Sequence, residues 1–227
     1  GASLGQVMAF LIASPWNSIS LTLIMMSLIG LSWTLAFIGL SMIIALSTGW
    51  LFDKFEQNGT LPSNPNTIEL PDNFEFWKEA KLGINTVTWN RQFITELLQA
   101  GLSGSKMVVK WLLFGVLLAS AIRGFVSLED FQNYFGPSLI GLAATLLAAT
   151  IIEVCSEGST PIAADLMNRA NAPGNSFAFL MTGVATDYTE VMVIKESMKS
   201  WKIALFLPLL TVPQVIVVAL ILNNFWL

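Results

Sequence analysis

The chain has 227 residues, of which 54% are hydrophobic and only 11% charged, against about 25% charged in an ordinary soluble domain. Its net charge of −4, single cysteine and lack of histidine exclude a basic stripe for nucleic acid, a histidine general base, a Cys/His zinc set and an intrachain disulfide. At a mean hydropathy of +0.67 there is too little polar surface to coat a water-soluble particle, so the class is a membrane protein.

Residues 1–52 carry no charged side chain. A spanning helix takes about 20 mostly apolar residues, so two helical passes fit there, broken at Ser14-Pro15-Trp16-Asn17 and again near Gly30. Trp50, just before Asp53 and Lys54, suits an interfacial aromatic anchor. Residues 53–104 differ in character. The turn-rich stretch 57–66 reads as an aqueous linker, because its backbone could not be satisfied in lipid. Over 85–102, Val87, Phe93, Ile94, Leu97, Leu98 and Leu102 fall mostly on one face, which predicts an amphipathic surface helix.

Residues 105–227 resume the membrane pattern. Lys106 to Val126 is a span, Leu128 to Phe135 an acidic aromatic turn, and Pro137 opens a pass that is apolar to Ile152. Glu153, Cys155, Glu157, Asp165 and Arg169 then follow closely, with Gly158 and Pro161 interrupting the helix. After the turn Ala172-Pro173-Gly174 the chain is apolar again to Val184. A second polar break follows at Thr186-Asp187-Tyr188-Thr189-Glu190, the basic Lys195, Lys199 and Lys202 mark a boundary, and 203–227 is a charge-free last span. Basic residues gather around the linker and only acids occupy 128–135, which puts the linker in the cytoplasm and Glu129 and Asp130 outside.

Displaced by 169 positions, Gly5, Ala9-Phe10-Leu11 and the break at Asn17-Ser18 overlie Gly174, Ala178-Phe179-Leu180 and the break at Thr186-Asp187. Duplicated halves with interrupted helices in corresponding places point to a transporter site. The architecture predicted is therefore an all-α, polytopic membrane protein with two structural repeats and interrupted transmembrane helices. Residues 1–52 are the end of the first repeat, 53–104 the linker with its surface helix, and 105–227 the second repeat. The first copy has no counterpart of 105–170, so the chain is expected to be part of a protein of roughly 300–350 residues.

Opening the helix at Gly158 and Pro161 leaves main-chain groups for a solute, water or side chains to satisfy, and Ser156, Ser159 and Thr160 add hydroxyls. The helix is predicted to restart at Pro161, its N-terminus favouring an anion or a polar solute oxygen. Carboxylates at membrane depth are costly and normally line a cavity or pair, which singles out Glu153, Glu157, Asp187 and Glu190 for binding or proton coupling; four acids could also hold a cation. Asp165 and Arg169, four apart, suit a salt-bridged helix end. Cys155 is either a small buried thiol or a lone soft-metal ligand. Met25, Met26 and the tryptophans suit packing and interface anchoring.

At these positions the sequence resembles the bacterial and archaeal family of predicted permeases that includes the ArsP-type exporters of trivalent organoarsenicals. That family's Cys-Ser-Cys-x-x-x-Pro motif is met by Cys155-Ser156-Glu157-Gly158-Ser159-Thr160-Pro161, with Glu157 where the second cysteine would stand. Leu166, Arg169-Ala170-Asn171-Ala172 and Ala178-Phe179-Leu180 follow in order, and Thr186-Asp187 replaces the usual asparagine break. In the first copy Gly1 to Gly5, Ala9-Phe10-Leu11 and Ser14-Pro15-Trp16-Asn17 match. The resemblance covers 1–50 and 105–227. It implies a multi-pass inner-membrane permease with Asn17, Cys155, Ser156 and the helix around Pro161 near the pathway. A single thiol speaks against arsenicals, and an acid in its place suggests another solute or proton coupling.

The function expected is thus a permease for a small solute or ion, with efflux and proton coupling both admitted. Its candidate residues are Glu157, Asp187, Cys155, Ser156, Ser159, Asn17, Glu190, Glu153 and Thr186. No enzyme activity, cofactor, resident metal or nucleic-acid partner is expected, and homo-oligomerisation is left open. The alternative is a non-transporting membrane subunit whose polar breaks dock another chain.

Overall fold

Long apolar runs punctuated by Ser, Pro and Gly dictate helices with capped interruptions. The computed structural model describes residues 2–67, 75–86, 90–152 and 155–226, with the backbone alone at 17, 79, 84–86, 107 and 225–226. It is all-α, with no strand among the described residues. Ser3 closes a capping box with Gln6 to start α1 (Leu4–Ala13), and a 3-10 turn at Pro15–Asn17 ends it. Ser18 accepts from the Leu21 N–H and starts α2 (Ile19–Ile29). Gly30, at φ +84°, allows the chain to turn into α3 (Leu31–Gln57); a side chain there would strain the backbone.

Beyond the linker, α4 (Phe76–Thr86) is followed by α5 (Arg91–Phe125). Of the surface helix expected over 85–102, residues 85–86 end α4, 87–89 with Val87 lie outside the described residues, and 91–102 are continuous with the span that follows. At 35 residues and 1.5 Å per residue, α5 is roughly 50 Å long, well beyond the ~30 Å of hydrocarbon. Such a helix is long enough for its amphipathic first part to lie beyond the hydrocarbon. Ser127 caps α6 (Leu128–Phe135), which meets α7 (Leu139–Ile152) at 95°. Then come α8 (Ser156–Asn168), α9 (Pro173–Thr186), α10 (Tyr188–Met198) and α11 (Trp201–Trp226). Four helical segments are long and apolar enough to cross a bilayer, or five if the bent α6–α7 pair counts as one span.

The helix after the first break starts at Ser156, not Pro161. Cys155 is its N-cap position, and Pro161 lies inside α8. A proline this near a helix start removes one hydrogen bond, the one that residue 161 would donate to the Glu157 carbonyl.

Several boundaries keep the 169-residue spacing. Leu4 starts α1 and Pro173 starts α9. Ser18 caps α2 and Asp187 caps α10. Gly30 ends α2 and Lys199, at φ +51°, ends α10. The glycine in the first turn of α1 and that of α9 each lie hard against the last helix of their segment. A Cβ on Gly5 would stand 2.1 Å from the Gly49 carbonyl oxygen, and one on Gly174 would stand 1.9 Å from that of Ala219. The Gly5 N–H donates to Asp53 Oδ1 at 2.7 Å, and the Gly174 N–H to Asn223 Oδ1 at 2.8 Å. Such close approach is how helices associate in lipid, where no hydrophobic drive favours one helix over a lipid tail. Phe37 and Phe177, both fully buried, meet edge to face at 5.3 Å and join the two segments. Gln214 bridges them too, donating to Thr48 Oγ1 at 2.9 Å and accepting from Ser47.

Candidate functional site

Three interruptions converge on a cavity of about 150 Å³. Pro15 reaches it from the first break. Cys155, Ser156 and Ser159 come from the start of α8, and Asp187 and Glu190 from the start of α10. Leu180, Gly183 and Val184 of α9 form its apolar wall. Short helices that begin inside the fold place small polar side chains and acids there, because those residue types cap and open helices.

Glu157 sits beside the cavity and joins the breaks. Its Oε1 accepts from Ser20 Oγ at 3.3 Å and from Ser18 Oγ at 3.5 Å, and its Oε2 from Ser156 Oγ at 3.1 Å. Ser18 and Ser20 are themselves 2.7 Å apart. A carboxylate in the first turn of α8 also answers the partial positive charge of that helix N-terminus. Asp187 does the same for α10, accepting from the N–H groups of Thr189 at 2.7 Å and Glu190 at 3.4 Å. The helix ends that could attract a solute anion are therefore already met by the chain's own acids, and none of the described lining residues is basic.

Of the nine candidates, Cys155, Ser156, Ser159, Asp187 and Glu190 line the cavity. Glu157 touches it through Ser156. Thr186 does not face it: its hydroxyl donates to the Thr182 carbonyl at 2.8 Å and pairs with Thr150 Oγ1 at 3.1 Å, on α7. Glu153 lies outside the described residues, as does the side chain of Asn17. Among the described residues no group of three or more Cys, Asp or Glu is placed to hold a metal ion, so Glu157, Asp187 and Glu190 do not form a cation site between them. Ser18, which stands in the expected break at Asn17-Ser18, and its neighbour Ser20 are not among the nine candidates, and neither is Gly183. The signal for the serines is their register: they stand 169 positions before Asp187 and Thr189.

Asp165 is more than the acid of a helix end. It is 2% exposed and takes Arg123 Nε at 3.0 Å on both carboxylate oxygens. Arg169 stands behind it, Nη1 at 3.7 Å, its guanidinium 5.0 Å over the Phe131 ring. Arg123 is 42 residues away in sequence, and no local spacing announces it. This network clamps α5 to α8 and so holds the cavity's polar wall.

A fold of apolar spans with interrupted helices, opening on a polar cavity inside the bundle, defines a multi-pass membrane transport protein. A family model described as "Predicted permease" (ArsP_1) matches residues 1–224, and the chain belongs to that family. No curated protein and no solved structure matches it. The expected family assignment and the all-α membrane class both hold.

Proposed function

We propose that this permease, in the inner cell membrane, moves a small neutral or cationic solute through the cavity between the breaks, coupled to proton movement on Glu157, Asp187 and Glu190. We read its two matching segments as structural repeats whose breaks meet at that cavity. The observation that carries the proposal is the lining itself: two acids, one thiol and two serine hydroxyls, with both local helix N-termini already neutralised. The charged groups an oxyanion would meet there are both of like sign, whereas a proton or cationic group would meet a carboxylate. A single cysteine offers one thiolate, too few for a thiol-bound arsenical.

Flux into proteoliposomes under a pH gradient tests this. Glu157→Gln keeps an oxygen for Ser18 and Ser20 but removes the charge, and Asp187→Asn keeps an equally good helix cap. Both variants are expected to fold normally and to lose at least about tenfold in proton-driven flux of the preferred solute, the equivalent of about 1.4 kcal/mol. Equal flux in variants and wild type, or a wild type that prefers sulfate or phosphate to cations and neutral solutes, defeats the reading.

Gly183 supplies a second test. A Cβ on it meets nothing within 4 Å, and the residue lines the cavity. Gly183→Leu, whose Cβ has room, should therefore obstruct the passage, gain helix propensity of up to about 1 kcal/mol, and abolish flux. A well-folded Gly183→Leu protein that still transports at the wild-type rate would show that solute does not pass through this cavity.

A further inference from the structure

A second cavity, of about 260 Å³, adjoins the polar one. Its floor is Ile162 and Leu166 of α8 and Phe179 of α9, which are 4%, 2% and 3% exposed. Phe131 and Phe135 of α6 close one end, their rings 5.2 Å apart, and α5 and α7 supply the walls. The lining is wholly apolar. Thr145, the one hydroxyl-bearing residue among the described lining, donates to the Gly141 carbonyl of its own helix at 2.8 Å, so it brings no unsatisfied donor.

The two cavities share helix faces. Ser159 lines the polar one, and Ile162 and Leu166, three and seven positions further along α8, line the apolar one. Residues so spaced lie on one face of a helix. On α9, Gly183 lines the polar cavity and Phe179, four positions before it, the apolar one. The two helices fold back on each other through a short turn, with the Ser176 hydroxyl donating to the Ala163 carbonyl at 2.7 Å. Both steps therefore lead the same way. The apolar cavity begins one helical turn, roughly 5 Å, beyond the polar one.

Water is a poor occupant of such a space, since an apolar cavity of about 150 Å³ already stays dry and takes up benzene. Three phenylalanine rings in the lining suit an aromatic or alkyl group. The rims, Ile122 on α5 and Ala148 and Ile152 on α7, are partly exposed, so a molecule with an apolar part can enter from the bilayer. One turn away, Asp187 and Glu190 line the polar cavity. We infer that the two cavities form one amphipathic site whose solute is a hydrophobic amine. The ammonium group sits against Asp187 and Glu190, and the alkyl or aromatic part fills the phenylalanine-lined cavity. The inference rests on the proposed cation-accepting role of the polar cavity and names the class of solute that it takes.

Equilibrium binding to the protein in lipid nanodiscs tests it, with empty nanodiscs as the blank and phenylbutylamine, propylamine and phenylbutyrate as probes. Phenylbutylamine is expected to bind at least about tenfold more tightly than propylamine, the gain from burying its apolar part, and more tightly than phenylbutyrate. Ala148→Phe on α7 fills the apolar cavity and should bring phenylbutylamine down to the level of propylamine, whose own binding stays unchanged. Ile122→Phe fills it from the α5 wall and should do the same. Asp187→Asn should weaken both amines. Equal affinity of the wild type for the two amines, or for phenylbutylamine and phenylbutyrate, overturns the inference whether or not the variants fold. A tenfold preference for phenylbutylamine that survives in both filled variants overturns it too. The failures are separable. If both amines bind equally and Asp187→Asn weakens both, the cation-accepting cavity stands and the apolar one has no part in it. If neither amine binds, the polar cavity's role as a cation site falls as well.

Discussion

Arg123→Leu should destabilise the protein by about 1–3 kcal/mol, the usual cost of leaving a buried acceptor without its partner, because Asp165 is buried although the Arg123 side chain is 59% exposed. The cause is Asp165, which is 2% exposed and receives Arg123 Nε on both oxygens. Without Arg123 its nearest cation is Arg169 at 3.7 Å, too far for a hydrogen bond. A carboxylate left in that position has neither water nor a close donor. Arg123→Lys should recover only part of the loss, since an ammonium cannot reproduce the planar fork. The double variant Arg123→Leu with Asp165→Asn should be more stable than Arg123→Leu alone, because the uncompensated charge is gone. Thermal unfolding in detergent reads all three; a double variant no better than the single one would show that the pair is not coupled.

Gly115→Ala is the second large effect. A Cβ there would stand 1.9 Å from the Gly158 carbonyl oxygen, which is backbone and cannot rotate away. The helices α5 and α8 must separate, and overpacking of this kind costs about 1–3 kcal/mol. Gly158 is the neighbour of Glu157 and Ser159, so the displacement passes directly into the cavity wall, and flux should fall along with stability. Gly124→Ala on the same helix meets nothing within 4 Å, and should be neutral or stabilising by up to about 1 kcal/mol. Melting temperatures and flux of the two variants check this; similar behaviour in both would mean that the close approach is not required.

Much of the site is legible in the residue string, because hydrocarbon is an unforgiving solvent. Charges are rare in such a chain, so Glu157, Asp187 and Glu190 stand out, and Ser, Gly and Pro beside them mark where helices open. Five of the nine candidate residues line one cavity. Thr186 was misplaced because nothing in a single run of sequence says which way a helix end faces; its hydroxyl turns to α7. The restart of α8 was put at Pro161 because proline is a strong first-turn residue, yet the helix accommodates it one turn further in. Residues 91–102 of the expected surface helix run on into α5, because amphipathicity does not mark where a helix ends.

The membrane class, the positions of the polar breaks and the residue types at them follow from composition and local pattern alone, since the cost of buried charge and open backbone acts residue by residue. What joins those breaks does not. The serines that hold Glu157 come from 137 and 139 positions away, Arg123 finds Asp165 across two helices, and Gly115 meets Gly158 backbone to backbone. Such pairings depend on the register and separation of packed helices, which no spacing along the chain encodes. Packing therefore turned three separate polar interruptions into one acidic cavity.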